Sequence, residues 1–414
     1  MQSWINIPQD SDFSIYNLPF GIFSTKTSKP HVGVRIGDYV IDLEALRKFG
    51  LLQIPRNILN QNILNPFIGL GKKITNKVRL QIQEWLCEPN SPLKRHFNHA
   101  FYPIEQVRMH MPVRVGDYTD FYSSIEHASN SGRIFRPNNP NPLVANWKHM
   151  PIAYHGRASS IVVSGTEIIR PMGQITPASE DNLPEFGLTK SLDFELEMAM
   201  IIGKNNQLGQ PISTSEAEEY VFGFVLFNDW SARDIQRWEY QPLGPFLGKN
   251  FASSISPWVV TIEALEPFRV ETPKQDPILP YLQFEGKHNF DINLQVELNQ
   301  QTICQSNYKY LYWNITQQIA HHTINGCNLK IGDLLASGTI SGETPDSFGS
   351  MLELSWNGQK PLTLPDGSTR TFLEDQDTLT IKGWAAKNYI KVGFGEVTGE
   401  VKANPTLLHK KISK

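Results

Sequence analysis

Residues 192–202 read Leu-Asp-Phe-Glu-Leu-Glu-Met-Ala-Met-Ile-Ile. In an extended strand successive side chains alternate between the two faces. One face then carries Leu192, Phe194, Leu196, Met198 and Met200 and is wholly apolar. The other carries Glu195 and Glu197 and runs on into Ala199 and Ile201, so it too faces a core. This restricts the fold, because ionised groups enter a core only when paired or bound to a cation. Side chains two apart on a strand have Cα atoms roughly 6.5–7 Å apart, so both carboxylates reach one ion. A hard divalent cation with oxygen ligands suits them. The competing reading of Glu-x-Glu, a solvated strand face, sits poorly with the apolar residues on both sides.

The rest of the chain predicts a mainly β protein. Val32–Ile36 and Tyr39–Leu43 flank Gly37-Asp38, which reads as a two-residue hairpin turn. Tyr220–Phe227 is a buried-strand run, and Ser256–Ile262, Ile292–Leu298, Met351–Trp356, Thr378–Ile381 and Tyr389–Val397 are further strand candidates. Helices are few. Thr75–Leu86 repeats Val78, Ile82 and Leu86 at helical spacing. Ser213-x-x-Glu216 and Ser215-x-x-Glu218 are capping boxes for a short helix before Tyr220, and Asn314–Asn325 reads as a helix closed by Gly326. The 414 residues exceed what one core usually serves, so at least two domains are expected. Phe101–Val113, with Pro103 and Pro112, reads as the connection, which divides the chain into 1–112 and 113–414.

Lys plus Arg number 38 and Asp plus Glu 41, so the net charge of −3 argues against a nucleic-acid binder. The N-terminus has neither a basic nor an apolar signal-peptide region, and no apolar run approaches a membrane span. A cytoplasmic protein without membrane or nucleic-acid partners is expected. Cys87, Cys304 and Cys327 are widely spaced and odd in number, which predicts buried thiols rather than disulfides. Gly244-x-x-x-Gly248-Lys249 lacks the spacing and hydroxyl of a P-loop, and no His-Glu-x-x-His or Gly-x-Ser-x-Gly occurs. Asn314-Ile315-Thr316 is read as a chance glycosylation match, and His321-His322 as basic residues suited to a helix C-terminus. The Ile/Val-Gly-Asp tripeptides at 36–38, 115–117 and 331–333 are read as turn chemistry.

Two more acidic elements join the Glu pair. Asn228-Asp229-Trp230-Ser231-Ala232-Arg233-Asp234 follows the Tyr220 strand, and a short helix would present Asp229, Arg233 and Gln236 together. Asp117–His127 contains Asp120, Tyr122 and the capping box Ser123-x-x-Glu126, so a helix starting at Ser123 would hold His127 in its first turn. The positive helix end disfavours imidazolium there and leaves a base able to accept a proton.

These segments resemble the fumarylacetoacetase family. The resemblance is carried by Asp120-Phe121-Tyr122-Ser123-Ser124…His127, Tyr154-His155-Gly156-Arg157-Ala158-Ser159-Ser160, Leu192–Ala199, Asn228–Gln236, Leu247-Gly248-Lys249, and Ala336–Gly342 with Phe348–Trp356, in the family order and over most of the chain. It implies a small N-terminal SH3-like barrel, a C-terminal mixed β-sandwich roll and a homodimer. It implies Ca2+ and/or Mg2+ on Asp120, Glu195, Glu197 and Asp229, with Lys249 and Ser253 matching positions grouped with the magnesium. The family has Thr where Ser253 stands, and Arg133–Asn146 departs from the family pattern. His127 matches the water-activating base and Glu353 its partner. Tyr122, Arg136, Tyr154, Arg233, Gln236, Lys249 and Thr339 match substrate-binding positions, with Lys249, Arg233 and Gln236 also on the catalytic side. The implied reaction is hydrolysis of the C–C bond of 4-fumarylacetoacetate to fumarate and acetoacetate, the last step of tyrosine and phenylalanine breakdown. A related acylpyruvate hydrolase or oxo-acid decarboxylase or hydratase is the alternative enzyme. A non-catalytic metal-stabilised β-scaffold would explain the acids but not His127 with Glu353.

Overall fold

The computed structural model describes residues 1–177 and 183–405. Nine consecutive buried residues, Val221–Asp229, form the strand at the centre of the larger of two principal sheets. It pairs antiparallel with Leu196–Ile202, in the register Leu196↔Asn228 and Ala199↔Val225. Leu196–Ile202 pairs on its other edge with Leu334–Ala336, which runs parallel to Tyr118–Phe121. Beyond its centre, Val221–Asp229 pairs with Trp258–Thr261, and at its end with Ser253–Ile255. The sheet is buried on both faces. Met198, Met200, Phe224 and Leu226 join one core; Ala199, Ile201, Val225 and Phe227 join a second core with the N-terminal residues. The first face is covered by a five-stranded sheet that includes Asn293–Leu298, Thr378–Lys387 and Ile390–Lys402. Residues 293–298 alternate half-buried and buried, as a sheet with one solvated face requires.

The N-terminal residues build onto the same large sheet. Phe20–Ser24 pairs with His31–Ile36 on one edge, and at Phe20↔Val259 on the other. The predicted hairpin is present, Ile36 facing Tyr39 across Gly37, whose φ of +50° suits glycine. The expected helix runs Lys72–Cys87 with Val78, Ile82 and Leu86 buried. Asn314 caps Ile315–Thr323 through a capping box and is buried, so it is a structural residue rather than a glycan acceptor. His321 and His322 meet Tyr281 and Thr119 at the end of that helix. Two of the three Gly-Asp tripeptides meet: Asp333 accepts the Asp117 N–H at 3.0 Å. Among the thiols, Cys304 is buried, whereas Cys87 and Cys327 are half-buried. No helix among the described residues is long and apolar enough to cross a membrane.

Five local expectations are corrected. Phe101–Val113 is not a bare connection, since Phe101–Pro103 and Arg108–His110 complete the N-terminal strands. Met351–Trp356 is not a strand: Ser350 caps a one-turn helix, Met351–Leu354, by accepting the Glu353 N–H. The 192–198 strand is interrupted at Phe194-Glu195, where Leu192–Asp193 pairs with Ser231–Ala232 before Leu196–Ile202 joins the main sheet. The Ser213 and Ser215 boxes precede only a short 3-10 turn, Ala217–Tyr220. The His127 helix, Ile125–Phe135, is capped by Ser124 rather than Ser123, which leaves His127 in the first turn.

Candidate metal centre and active site

Strand register gathers the acids. Asp120 faces Ala336 across one pair of strands, and Ala336 faces Ala199 across the next. Glu197 shares the face of Ala199, and Asp229 that of Val225 and Phe227. Asp120, Glu197 and Asp229 therefore point to one side of the sheet, with Leu334–Ala336 between the segments of Asp120 and Glu197. Glu195 joins them from the interruption before Leu196. Ligand atoms of Asp120, Glu195, Glu197 and Asp229 lie within 4.8 Å of one another, and all four residues are buried.

Two cations neutralise part of this charge. Lys249 Nζ donates to Glu195 and to Asp229, each at 2.7 Å. Arg233 donates through Nη1 to Glu195 at 2.7 Å and through Nε to Asp193 at 2.8 Å. Burial opposes ionisation of Glu195, but Lys249, Arg233 and His127 outweigh it and hold its carboxyl well below the usual range. Asp120 and Glu197 have no such partners. Burial, and then Asp229 beside Asp120 and Asp120 beside Glu197, push both carboxyls well above the usual range. Burial also raises Asp229, against the pull of Lys249. Asp229 further accepts from Tyr154 OH at 2.6 Å and Ser253 Oγ at 3.1 Å. Tyr118 OH reaches Asp120 Oδ2 at 2.5 Å, and Gly338 N–H reaches Glu197 Oε2 at 3.0 Å.

The donor set fits a divalent cation. Among the described residues, Asp120 Oδ1 and Glu197 Oε1 are buried without a hydrogen-bond partner. Buried carboxylate oxygens normally find one. Two orphaned hard oxygens among four carboxylates and two cations match an oxygen-ligating dication.

The second half of the site is the predicted pair. His127 Nδ1 and Glu353 Oε2 are 2.6 Å apart, and both residues are buried. Glu353 also accepts from Ser341 Oγ and Ser350 Oγ at 2.9 Å, and from Asn130 Nδ2 at 2.9 Å. Burial opposes its ionisation, but His127 and these donors hold its carboxyl below the usual range. The other imidazole nitrogen, Nε2, lies 3.4 Å from Ser131 Oγ. Tyr122 packs edge-on against the imidazole, with ring centroids 5.4 Å apart. Burial pushes the Tyr122 hydroxyl up to about 12.

Of the other predicted residues, Gln236 accepts from Arg233 Nη1 at 3.2 Å on the helix Arg233–Glu239. Asp229 lies at the end of its strand rather than on that helix. Among the described residues, Thr339 Oγ1 and Arg233 Nη2 are buried without a hydrogen-bond partner. Arg136 is exposed at the end of the His127 helix and donates to Pro142 O at 2.8 Å. Sequence reasoning missed Tyr118, Asn130, Ser341, Ser350 and Asp193. Asn130 lies three residues after His127, so helical spacing marks it. Ser350-x-x-Glu353 is itself a capping signal. Asp193 receives the Met351 and Leu352 N–H groups as well as Arg233, a role that no spacing reveals.

The family model described as fumarylacetoacetate (FAA) hydrolase C-terminal matches residues 118–402. The fumarylacetoacetase N-terminal model matches residues 16–112. Fumarylacetoacetase of Homo sapiens is 50% identical over 413 residues, spanning 96% of this chain and 98% of its own length. That of Arabidopsis thaliana is 49% identical over 422 residues, spanning 98% and 99%. The fold recurs in a fumarylacetoacetate hydrolase from psychrophilic Exiguobacterium antarcticum, with a TM-score of 0.54 at 18% identity over 93% of this chain and 99% of that one. It recurs in a maleylpyruvate hydrolase from Sphingobium sp., with a TM-score of 0.50 at 15% identity over 93% and 100%. With both family models in order along the sequence and close relatives aligned over nearly its full length, the chain belongs to the fumarylacetoacetase family.

Proposed function

We infer that this chain is a hydrolase acting on carbon–carbon bonds in ketonic substances, which cleaves 4-fumarylacetoacetate to fumarate and acetoacetate. The observation that carries the reading is the conjunction of a buried His–Glu pair with a four-carboxylate cluster, in a chain that matches fumarylacetoacetases end to end.

The ionised Glu353 accepts from Nδ1–H of His127 and so leaves the lone pair on Nε2. Nε2 takes a proton from water, and Glu353 stabilises the imidazolium that results. Asp120, Glu195, Glu197 and Asp229 would hold Ca2+ or Mg2+, which supplies Lewis-acid polarisation of a diketone when bound. Lys249 and Arg233 offer fixed positive charge to the developing enolate or to a substrate carboxylate. Thr339 Oγ1 and Arg233 Nη2, both buried and without a partner among the described residues, are available to substrate oxygens. Tyr122, Tyr154 and Gln236 line the same place, and Arg136 serves from the exposed end of the His127 helix.

The finer organisation follows the family. Residues 1–112 form an SH3-like unit, supported by the antiparallel run of five strands from Phe20–Ser24 to Arg108–His110. Residues 113–414 form the β-sandwich roll, supported by the two packed sheets. The working assembly is a cytoplasmic homodimer. The test is the disappearance of fumarylacetoacetate with purified protein, before and after chelation and after return of Mg2+ or Ca2+. Full turnover by rigorously metal-free protein, or none by metal-loaded protein, would overturn the reading.

A further inference from the structure

Lys249 must bring one ammonium to two carboxylates, yet it follows an exposed loop. The helix Arg233–Glu239 carries Arg233 and Gln236 and ends at Glu239. The chain then swings out, with Leu243 97% exposed and Gly244 at φ +94°. It returns through Phe246, Leu247 and Gly248, immediately before Lys249. The Phe246 and Leu247 side chains are themselves exposed, so apolar packing does little to fix the return.

One carboxylate does fix it. Glu239 Oε1 accepts the N–H groups of Phe246 at 2.8 Å and Gly248 at 2.7 Å, and Oε2 accepts that of Leu247 at 3.0 Å. Three consecutive amides on one anion form charge-assisted hydrogen bonds, stronger than neutral ones. The return is also tied to the start of the helix, where Ala232 N–H donates to Gly248 O at 2.8 Å. Gly248 lies so close to the helix that a Cβ there would meet Gln236 Cβ at 2.8 Å.

We propose that Glu239 is a positioning residue: it locks the Phe246–Gly248 return onto the helix and thereby fixes Lys249 relative to Arg233 and Gln236. The inference rests on the proposed function, because its consequence for turnover requires those three residues to act on substrate. Substitution loosens the point from which Lys249 reaches Glu195 and Asp229, without touching either carboxylate. A displacement of this kind lowers kcat more than it raises KM, since it weakens contacts made in the transition state.

The test uses Glu239→Ala and Glu239→Gln in the full-length, metal-loaded protein. The amide introduced by Glu239→Gln keeps one accepting oxygen and turns an NH2 toward an N–H, so it retains part of the clamp. For Glu239→Ala, kcat for fumarylacetoacetate is expected to fall on the order of 10–100-fold with KM changed far less. Glu239→Gln should fall between Ala and the parent. Backbone amide exchange at 246–249 should accelerate in both variants. If Glu239→Ala does not fold, Glu239→Gln carries the same comparison. An Ala variant as fast as an active parent, or slowed turnover with unchanged exchange at 246–249, overturns the inference. A parent without turnover overturns the proposed function instead, and unchanged exchange would still refute the clamp.

Discussion

The charge imbalance of the acidic cluster has a measurable consequence for metal-free protein. Burial and neighbouring carboxylates push the Asp120 and Glu197 carboxyls well above the usual range in the fold. In the unfolded chain both ionise near pH 4. A carboxyl whose folded pKa is raised contributes stability that is complete below its unfolded pKa and is lost as pH rises through its folded pKa. Between those limits the folded state binds one more proton per group, so each costs about 1.4 kcal/mol per pH unit, and the two together about 2.7 kcal/mol. With an unfolding entropy of about 2.1 cal/mol/K per residue, that slope is about 3 °C of Tm per pH unit for a chain of this length. The perturbation is the double variant Asp120→Asn, Glu197→Gln, which mimics the protonated pair at every pH. Parent and variant are unfolded without metal from pH 5 to 8 by calorimetry. His31 and His288, whose pKa values are raised in the fold, lose stability in the same direction, so the difference between the two proteins is the readout. The parent is expected to fall away from the variant as pH rises, and divalent metal should restore the parent alone. Parallel curves would refute the assignment of the excess charge to Asp120 and Glu197.

Four further outcomes are expected. Glu353→Gln removes the anion that supports the imidazolium of His127 and should lower kcat on the order of 10²–10⁴-fold with little change in KM, read by steady-state kinetics. Asn130→Ala removes a donor from Glu353 Oε1 and leaves a more basic carboxylate beside the imidazole. kcat should fall, read by steady-state kinetics, and an unchanged kcat would separate Asn130 from the His127–Glu353 pair. Arg233→Met strands Asp193 and Glu195 in the core and should cost about 3–5 kcal/mol by denaturant unfolding, whereas the exposed Arg136→Met should leave stability intact and raise KM for the diacid more than for an uncharged diketone.

What the sequence disclosed depended on whether the information was local. Alternation exposed the one-sided strand at 293–298, and the two-residue turn exposed the hairpin at Gly37. Glu195, Glu197 and Asp229 were visible because each lies beside an apolar run that has no other reason to end in a carboxylate. Met351–Trp356 failed for a local reason as well: six residues fit a strand period, but Ser350 supplies the cap that favours a turn of helix. The break at Phe194-Glu195 was not legible, because it depends on Ser231 and Asn228 across the sheet; Asn228 Oδ1 takes the Glu195 N–H that a continuous strand would have used. The family resemblance supplied Thr339, whose own neighbourhood carries no distinguishing pattern, and Glu353, whose capping serine marks a helix start but not a partner for His127. It also brought forward Arg136, which the fold sets on Pro142 O at the exposed end of the His127 helix.

The residues that resemblance left out explain why the two halves of the site are held together. Asp193 accepts Arg233 Nε on one side, and the Met351 and Leu352 N–H groups on the other. Those two amides begin the one-turn helix that carries Glu353. A single buried anion thus fixes the cation that neutralises Glu195 and the first turn that aims Glu353 at His127. Ser350 caps the same turn and donates to the Glu353 carboxylate. The acidic cluster and the His–Glu pair therefore share their supports, so the spacing between the His127 imidazole and the four carboxylates is set by buried, hydrogen-bonded groups.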